Sequence, residues 1–137
     1  MSHTELIRVR DVMKTEFDVV DGLATVADAL RGMQYIETKA LIVKRRDEND
    51  EYGIVELEDI ATDVLAKNRS PDRVNVYEIM NKPLLGIDPQ MDIRYCARMF
   101  ERYRLNRAAV VENRDVIGIV SYADIVIKGM RQLIAGD

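Results

Sequence analysis

The chain has 137 residues, 47% apolar and 32% charged, with a formal net charge of −4 and a pI near 5.1. This is an ordinary soluble composition. It suits one compact domain or two small intertwined halves, and it lacks the basic field that general nucleic-acid binding needs. The single cysteine, Cys96, excludes an internal disulfide and fits a reducing compartment. No run approaches the roughly 18 consecutive apolar residues of a membrane helix, and no leader pattern opens the chain. A cytoplasmic location with no membrane contact is expected.

Residues 17–20 form a short β-prone run closed by the turn signal Asp21-Gly22. Thr25 is placed to cap a helix, with Asp28 three residues on as a variant of the capping box. Val26, Ala29, Leu30 and Met33 then fall on one helical face. Residues 40–43 are a continuous apolar run too short for a helix, which predicts a buried strand. The densely charged block 44–51 predicts a solvated hairpin tip. Gly53-Ile54-Val55 resumes a strand, and residues 57–67 carry Leu57, Ile60, Ala61, Val64 and Leu65 on a helical stripe. Residues 68–75 are a polar linker whose Pro71 blocks continuation of the helix. The second half repeats the order. A strand over 84–87 and the turn Asp88-Pro89 lead to Asp92, which caps a helix carrying Ile93, Cys96, Ala97 and Phe100. Strands at 108–111 and 116–120 follow, and a final helix starts at Tyr122. Each half reads β-α-β-β-α, an α/β (α+β) class.

The chain also repeats itself in detail. Val9-Arg10-Asp11-Val12-Met13 returns as Val76-Tyr77-Glu78-Ile79-Met80, offset by 67 positions. Gly53-Ile54-Val55-Glu56-Leu57-Glu58-Asp59-Ile60 returns as Gly118-Ile119-Val120-Ser121-Tyr122-Ala123-Asp124-Ile125, offset by 65. Two landmarks in the same order at nearly the same offset indicate a tandem duplication, with repeats over 8–67 and 76–134 joined by the 68–75 linker within one 1–137 module. A half of roughly 60 residues is marginal for burying its own core, so the halves are expected to fold together about a pseudo-two-fold axis, with related clefts between them.

Ser121 and Asp124 stand where a strand passes into a helix. An ionised carboxylate accepts only, and its two oxygens suit a vicinal diol. A hydroxyl at a helix start lies beside free N–H groups and the positive end of the helix dipole, which suits an anion. The same pair also makes an N-cap with its partner three residues on. In the first copy Asp59 is retained but Glu56 replaces the serine. A second carboxylate there repels phosphate, leaving the Asp59 site for a nucleoside-like ligand, a cation or nothing. Glu56 is equally placed to be a helix cap.

The whole pattern, Val-x-x-Val-Met, an amphipathic helix, a Val-Val strand and Gly-Ile-Val-Ser-x-x-Asp-Ile, found twice in register, resembles the CBS domain, and two in tandem resemble a Bateman module. The resemblance spans about Arg8 to Met130, leaving no room for an attached enzyme. It implies adenine-nucleotide binding (AMP, ADP, ATP or an adenosyl relative) in the inter-repeat clefts, as a regulatory ligand rather than a cofactor. It implies a ribose-binding role for Asp124 and Asp59 and a phosphate role for Ser121 after Gly118. It places the base against Pro83-Leu84 with Ala108-Ala109, and against Glu16-Phe17 with Ala40-Leu41. Arg107 is a candidate phosphate partner or an exposed loop arginine. The family often has proline where Ala109 and Leu41 stand.

Nothing in the sequence forms a catalytic constellation. The one histidine, His3, lies in the N-terminal tail, which is read as free. Cys96 lies on an inward helical face and reads as core, with no histidine placed to activate it. There is no Gly-rich phosphate loop and no His/Cys metal spacing. The expected function is a non-enzymatic sensor of adenine nucleotides acting on an unidentified downstream protein. The alternative is a ligand-free interaction module. The helix after Tyr122 and its counterpart after Leu57 are apolar on several sides, which predicts a homodimer.

Overall fold

A computed structural model describes residues 6–135. It divides into two compact units. The first holds Glu16–Leu84; the second joins the N-terminal segment through Thr15 to the chain from Leu85 onward.

In the first unit β1 (Asp18–Val20) pairs in parallel with β2 (Ala40–Val43), and β2 pairs antiparallel with β3 (Gly53–Glu56). All four residues of β2 are buried, as an uninterrupted apolar run requires when both faces of a central strand are covered. Helix α2 (Val26–Arg31) starts at Thr25, whose hydroxyl accepts from the Asp28 N–H at 3.1 Å. The helix is shorter than its apolar pattern, ending at Gly32. Leu30, expected on the inward face, is exposed. Val26, Ala29, Leu41, Val43, Val55 and Val64 pack with Val74, Val76 and Ile79 in one core.

In the second unit β4 (Gly86–Ile87) pairs in parallel with β5 (Arg107–Glu112), and β5 antiparallel with β6 (Asp115–Ser121). The predicted strand over 84–87 is thus reduced to two residues. Helix α4 (Ile93–Tyr103) opens at Asp92, which accepts from the Arg94 N–H at 2.9 Å. Ile93, Cys96 and Phe100 bury the predicted face together with Ile87, Val110 and Val120.

The units are out of phase with the sequence repeats. Helix α1 (Val9–Val12), which opens the first repeat, packs in the second unit's core. The following Lys14 exchanges both backbone hydrogen bonds with Ile119 of β6, at 2.8 and 2.9 Å. In the first unit Asn81, just after the Val76–Glu78 turn, does the same with Ile54 of β3, at 2.9 Å each way. Each copy's last strand is therefore completed by the segment that opens the other copy. This is a physical reason why neither half of the sequence is self-sufficient.

Both closing helices depart from ordinary α geometry. Helix α3 (Leu57–Ile60) widens into a π-helical stretch over Ala61–Leu65, and another π-helical stretch, Asp124–Met130, leads into α5 (Arg131–Ala135). In the second, Ile125, Gly129 and Leu133 are buried, while Val126, Ile127, Met130 and Ile134 are about half exposed. Its broad apolar character thus resolves into one buried and one exposed stripe.

The charged 44–51 block is the solvated hairpin tip its composition predicts, with Lys44, Arg46, Asp47, Glu48, Asn49 and Glu51 exposed, but one of its residues is anchored. Asp50 is 9% exposed at its side chain and is clamped by Lys82 at 2.6 Å and Arg46 at 3.1 Å. These partners hold its carboxyl far below the usual carboxylate range, Lys82 contributing most. The ion pairs fold the loop back onto its own unit.

Candidate functional site

Strand β6 delivers Ser121 to the start of the last helix, and the register sets its neighbours. Arg107 lies opposite Ser121, Ala108 opposite Val120, Ala109 opposite Ile119, and Val110 opposite Gly118. Ala108 and Ala109 are buried and Arg107 is half-buried. A side chain at Gly118 would lie 2.6 Å from the Lys14 carbonyl oxygen and 2.8 Å from the Met13 sulfur. Only glycine admits the segment that pairs with β6.

Asp124 is 2% exposed and its carboxylate is fully engaged. Oδ2 accepts from the Ser121 N–H at 2.9 Å and the Ser121 hydroxyl at 3.0 Å. Oδ1 faces two ammonium groups, Lys14 at 2.6 Å and Lys128 at 3.3 Å. Lys128 also donates to the Val12 carbonyl at 3.2 Å. Ser121 and Asp124 thus form the capping pair, and a cationic clamp surrounds them. Sequence reasoning missed Lys14. Its signal was the repeat itself, since the 67-residue offset aligns Lys14 with Asn81.

The first copy has the same skeleton with other charges. Asp59 accepts from the Glu56 N–H at 2.8 Å, and the Glu56 side chain accepts in return from the Asp59 N–H. Glu56 therefore caps its helix. In place of Lys14 stands Asn81, whose amide reaches Asp59 at 3.4 Å. In place of Lys128 stands Asp63, paired with Lys67 at 3.5 Å. One site sets two cations against one carboxylate; the other sets three carboxylates against one cation.

The remaining predicted residues fall as follows. Leu41 is fully buried in the first core, opposite Asp18 and Val55, so its side chain packs inward. Phe17 is half-buried just before β1. Pro83 is exposed; Leu84 is half-buried and its N–H donates to the Tyr52 carbonyl at 3.0 Å. Both belong to the first unit, whereas Arg107, Ala108, Ala109, Gly118, Ser121 and Asp124 belong to the second. Cys96 is fully buried, and burial pushes its thiol up to about 11. It is a neutral packing group at physiological pH. His3 lies outside the described residues. Among the described residues no cluster of three or more His, Cys, Asp or Glu is arranged to hold a metal. No helix there is long and apolar enough to cross a membrane.

Comparison with known proteins places this geometry. The CBS domain model matches the chain twice, over residues 9–66 and 76–130. A hexameric CBS-CP12 protein from bloom-forming cyanobacteria is 37% identical, with a TM-score of 0.85 over 90% of this chain and 72% of that one. A CBS domain pair solved with 5′-methylthioadenosine and S-adenosyl-L-methionine is 23% identical, with a TM-score of 0.72 over 89% of this chain and 98% of that one. An uncharacterized protein of Methanocaldococcus jannaschii is 25% identical over 79% of this chain, which spans only 59% of that protein's length. The fold is the expected α/β pair of three-stranded sheets. The chain belongs to the CBS domain family and carries two copies of the domain in tandem.

Proposed function

We propose that the chain is a cytoplasmic regulatory module, without catalysis of its own, that binds a phosphorylated adenine nucleotide through Asp124. The observation that carries this is the charge around that residue: Lys14 and Lys128 on one buried carboxylate. Both ammonium groups lie within 3.3 Å of Asp124 and would supply countercharge to a phosphate chain if Asp124 took the ribose. A ligand phosphate that draws one lysine away leaves the carboxylate balanced by the other, so binding strands no buried charge. The solved CBS pair with two adenosyl compounds supports the ligand class. The hexameric relative supports an output through association. A ligand drives such an output only by its differential affinity for two states.

One observation favours a second reading, a ligand-free interaction module. Every acceptor position of Asp124 is already taken by Ser121, Lys14 and Lys128, so the site is closed by its own side chains. A thermal-shift panel of AMP, ADP, ATP, S-adenosylmethionine and methylthioadenosine decides between them. A ligand at 100 times its Kd adds about 2.7 kcal/mol to stability, a rise of several degrees for a domain this size. At least one nucleotide is expected to give that rise. No shift from any member at millimolar concentration would leave the ligand-free module.

A further inference from the structure

The first unit carries a cleft of about 670 Å³ that the nucleotide reading does not use. It lies at the other end of the sheet. The register sets Ala40 opposite Glu56 at one end of β2 and Val43 opposite Gly53 at the other. Three residues of strand, about 10 Å, separate the Glu56–Asp59 corner from this cleft. Its charged lining is Lys44, Arg45, Arg46 and Lys82 with Asp21 and Asp50, four cations to two carboxylates in a chain of net charge −4. Its apolar wall is Leu23, Val43, Tyr77 and Met80. Leu23 and Tyr77 are 75% and 51% exposed. The cations are ordered by ion pairs: Lys44 to Asp21 at 3.3 Å, Arg46 and Lys82 to Asp50. Arg45 stacks over Tyr52, 4.8 Å from the ring centre.

The duplication provides an internal control. At the matching corner of the second unit the strand register puts Val111 in place of Lys44, Glu112 in place of Arg45 and Asn113 in place of Arg46. The repeat puts Arg10 in place of Tyr77 and Thr15 in place of Lys82, and the hairpin is two residues shorter, without Asp50. Glu112 and Arg10 pair with each other there. The fold does not require a cationic, aromatic-walled corner. The first copy carries one and the second does not.

We propose that this corner is a second ligand site, taking a small aromatic oxyanion whose ring lies against Tyr77 and Leu23 and whose charged group meets Lys44 and Arg46. Guanidinium and ammonium groups recognise phosphate and carboxylate alike. Small-molecule sites pair an apolar and aromatic wall with a few convergent polar or charged groups that fix orientation, and this corner has both. The site is independent of the Asp124 assignment.

Amide-resolved NMR of the full chain, titrated with phenyl phosphate, benzoate and inorganic phosphate, tests it. Phenyl phosphate should move the amides of Gly22, Leu23, Lys44, Arg45 and Tyr77 saturably, and bind more tightly than inorganic phosphate. Lys44→Glu and Arg46→Glu should each weaken it roughly tenfold by charge reversal. Tyr77→Ser should abolish the advantage over inorganic phosphate. The order of phenyl phosphate and benzoate then assigns the oxyanion as phosphate or carboxylate. Shifts centred on Ser121 and Asp124 instead, equal binding by inorganic phosphate, or undiminished binding by both charge-reversed proteins would overturn the proposal.

Discussion

At the residue scale, Lys14 and Asn81 measure what the duplication changed. Lys14 sits 2.6 Å from a carboxylate that is 2% exposed; Asn81 makes a 3.4 Å amide contact to a more accessible one. Breaking a buried pair by removing one partner is costly, because the other charge stays buried. Lys128 remains as a second partner in this case. Lys14→Met should therefore destabilise the fold by about 1–3 kcal/mol, and Asn81→Met by less than about 1 kcal/mol. Urea unfolding of the two variants checks the ranking. The carboxylates were legible in the sequence, since Asp59 and Asp124 stand in register within a repeated octapeptide. Their partners were not, because a lysine 110 positions away enters through tertiary pairing that no local pattern reports. Glu56 was legible as a cap from its spacing to Asp59, and as a charge. Only the reciprocal hydrogen bonds show that capping occupies it.

At the scale of elements, the two glycines that the repeat aligns in the last strands carry unequal loads. A methyl group at Gly118 meets the Lys14 carbonyl oxygen at 2.6 Å, which is backbone and cannot swing aside. At Gly53 the closest atom is the Met80 sulfur at 2.8 Å, on a flexible side chain, with the Asn81 carbonyl oxygen at 3.3 Å. Gly118→Ala should cost more than about 2 kcal/mol, and Gly53→Ala about half as much or less. Equal costs in urea melts would contradict the pairing described for Lys14 and β6. Strand β2 and helix α4 could be read from periodicity because their apolar residues match the burial they receive. Helix α2 could not be bounded that way: its apolar face runs on to Met33, but the helix stops at Gly32. The exposed hairpin tip was legible from its charges, but composition counts charges and does not pair them. Asp50 finds Lys82, 32 residues on, and that contact anchors one residue of an otherwise solvated loop. The π-helical stretches had no signal in the apolar pattern at all.

At the scale of the whole molecule, Val126, Ile127, Met130 and Ile134 form an exposed apolar stripe. Leu65 on the equivalent helix is 77% exposed. Contiguous apolar surface of this kind marks interfaces, and a two-fold dimer is the simplest closed way to cover it. Light scattering over a dilution series should give a species of at least twice 15.7 kDa at micromolar concentration. Ile127→Glu should shift it towards monomer, while Glu101→Lys on α4 should not. A stable monomer in the parent protein would leave the stripe to a different protein.

The central claim is that the two copies have diverged so that a phosphorylated adenine nucleotide prefers Asp124 to Asp59. Titration calorimetry with ATP on the parent protein, Asp124→Ala and Asp59→Ala, with folding of each verified by circular dichroism, tests it most directly. The account predicts that Asp124→Ala weakens ATP binding at least tenfold, about 1.4 kcal/mol, and that Asp59→Ala leaves it within about twofold, under about 0.5 kcal/mol. Weakening by Asp59→Ala alone, with full binding retained in folded Asp124→Ala, would contradict it.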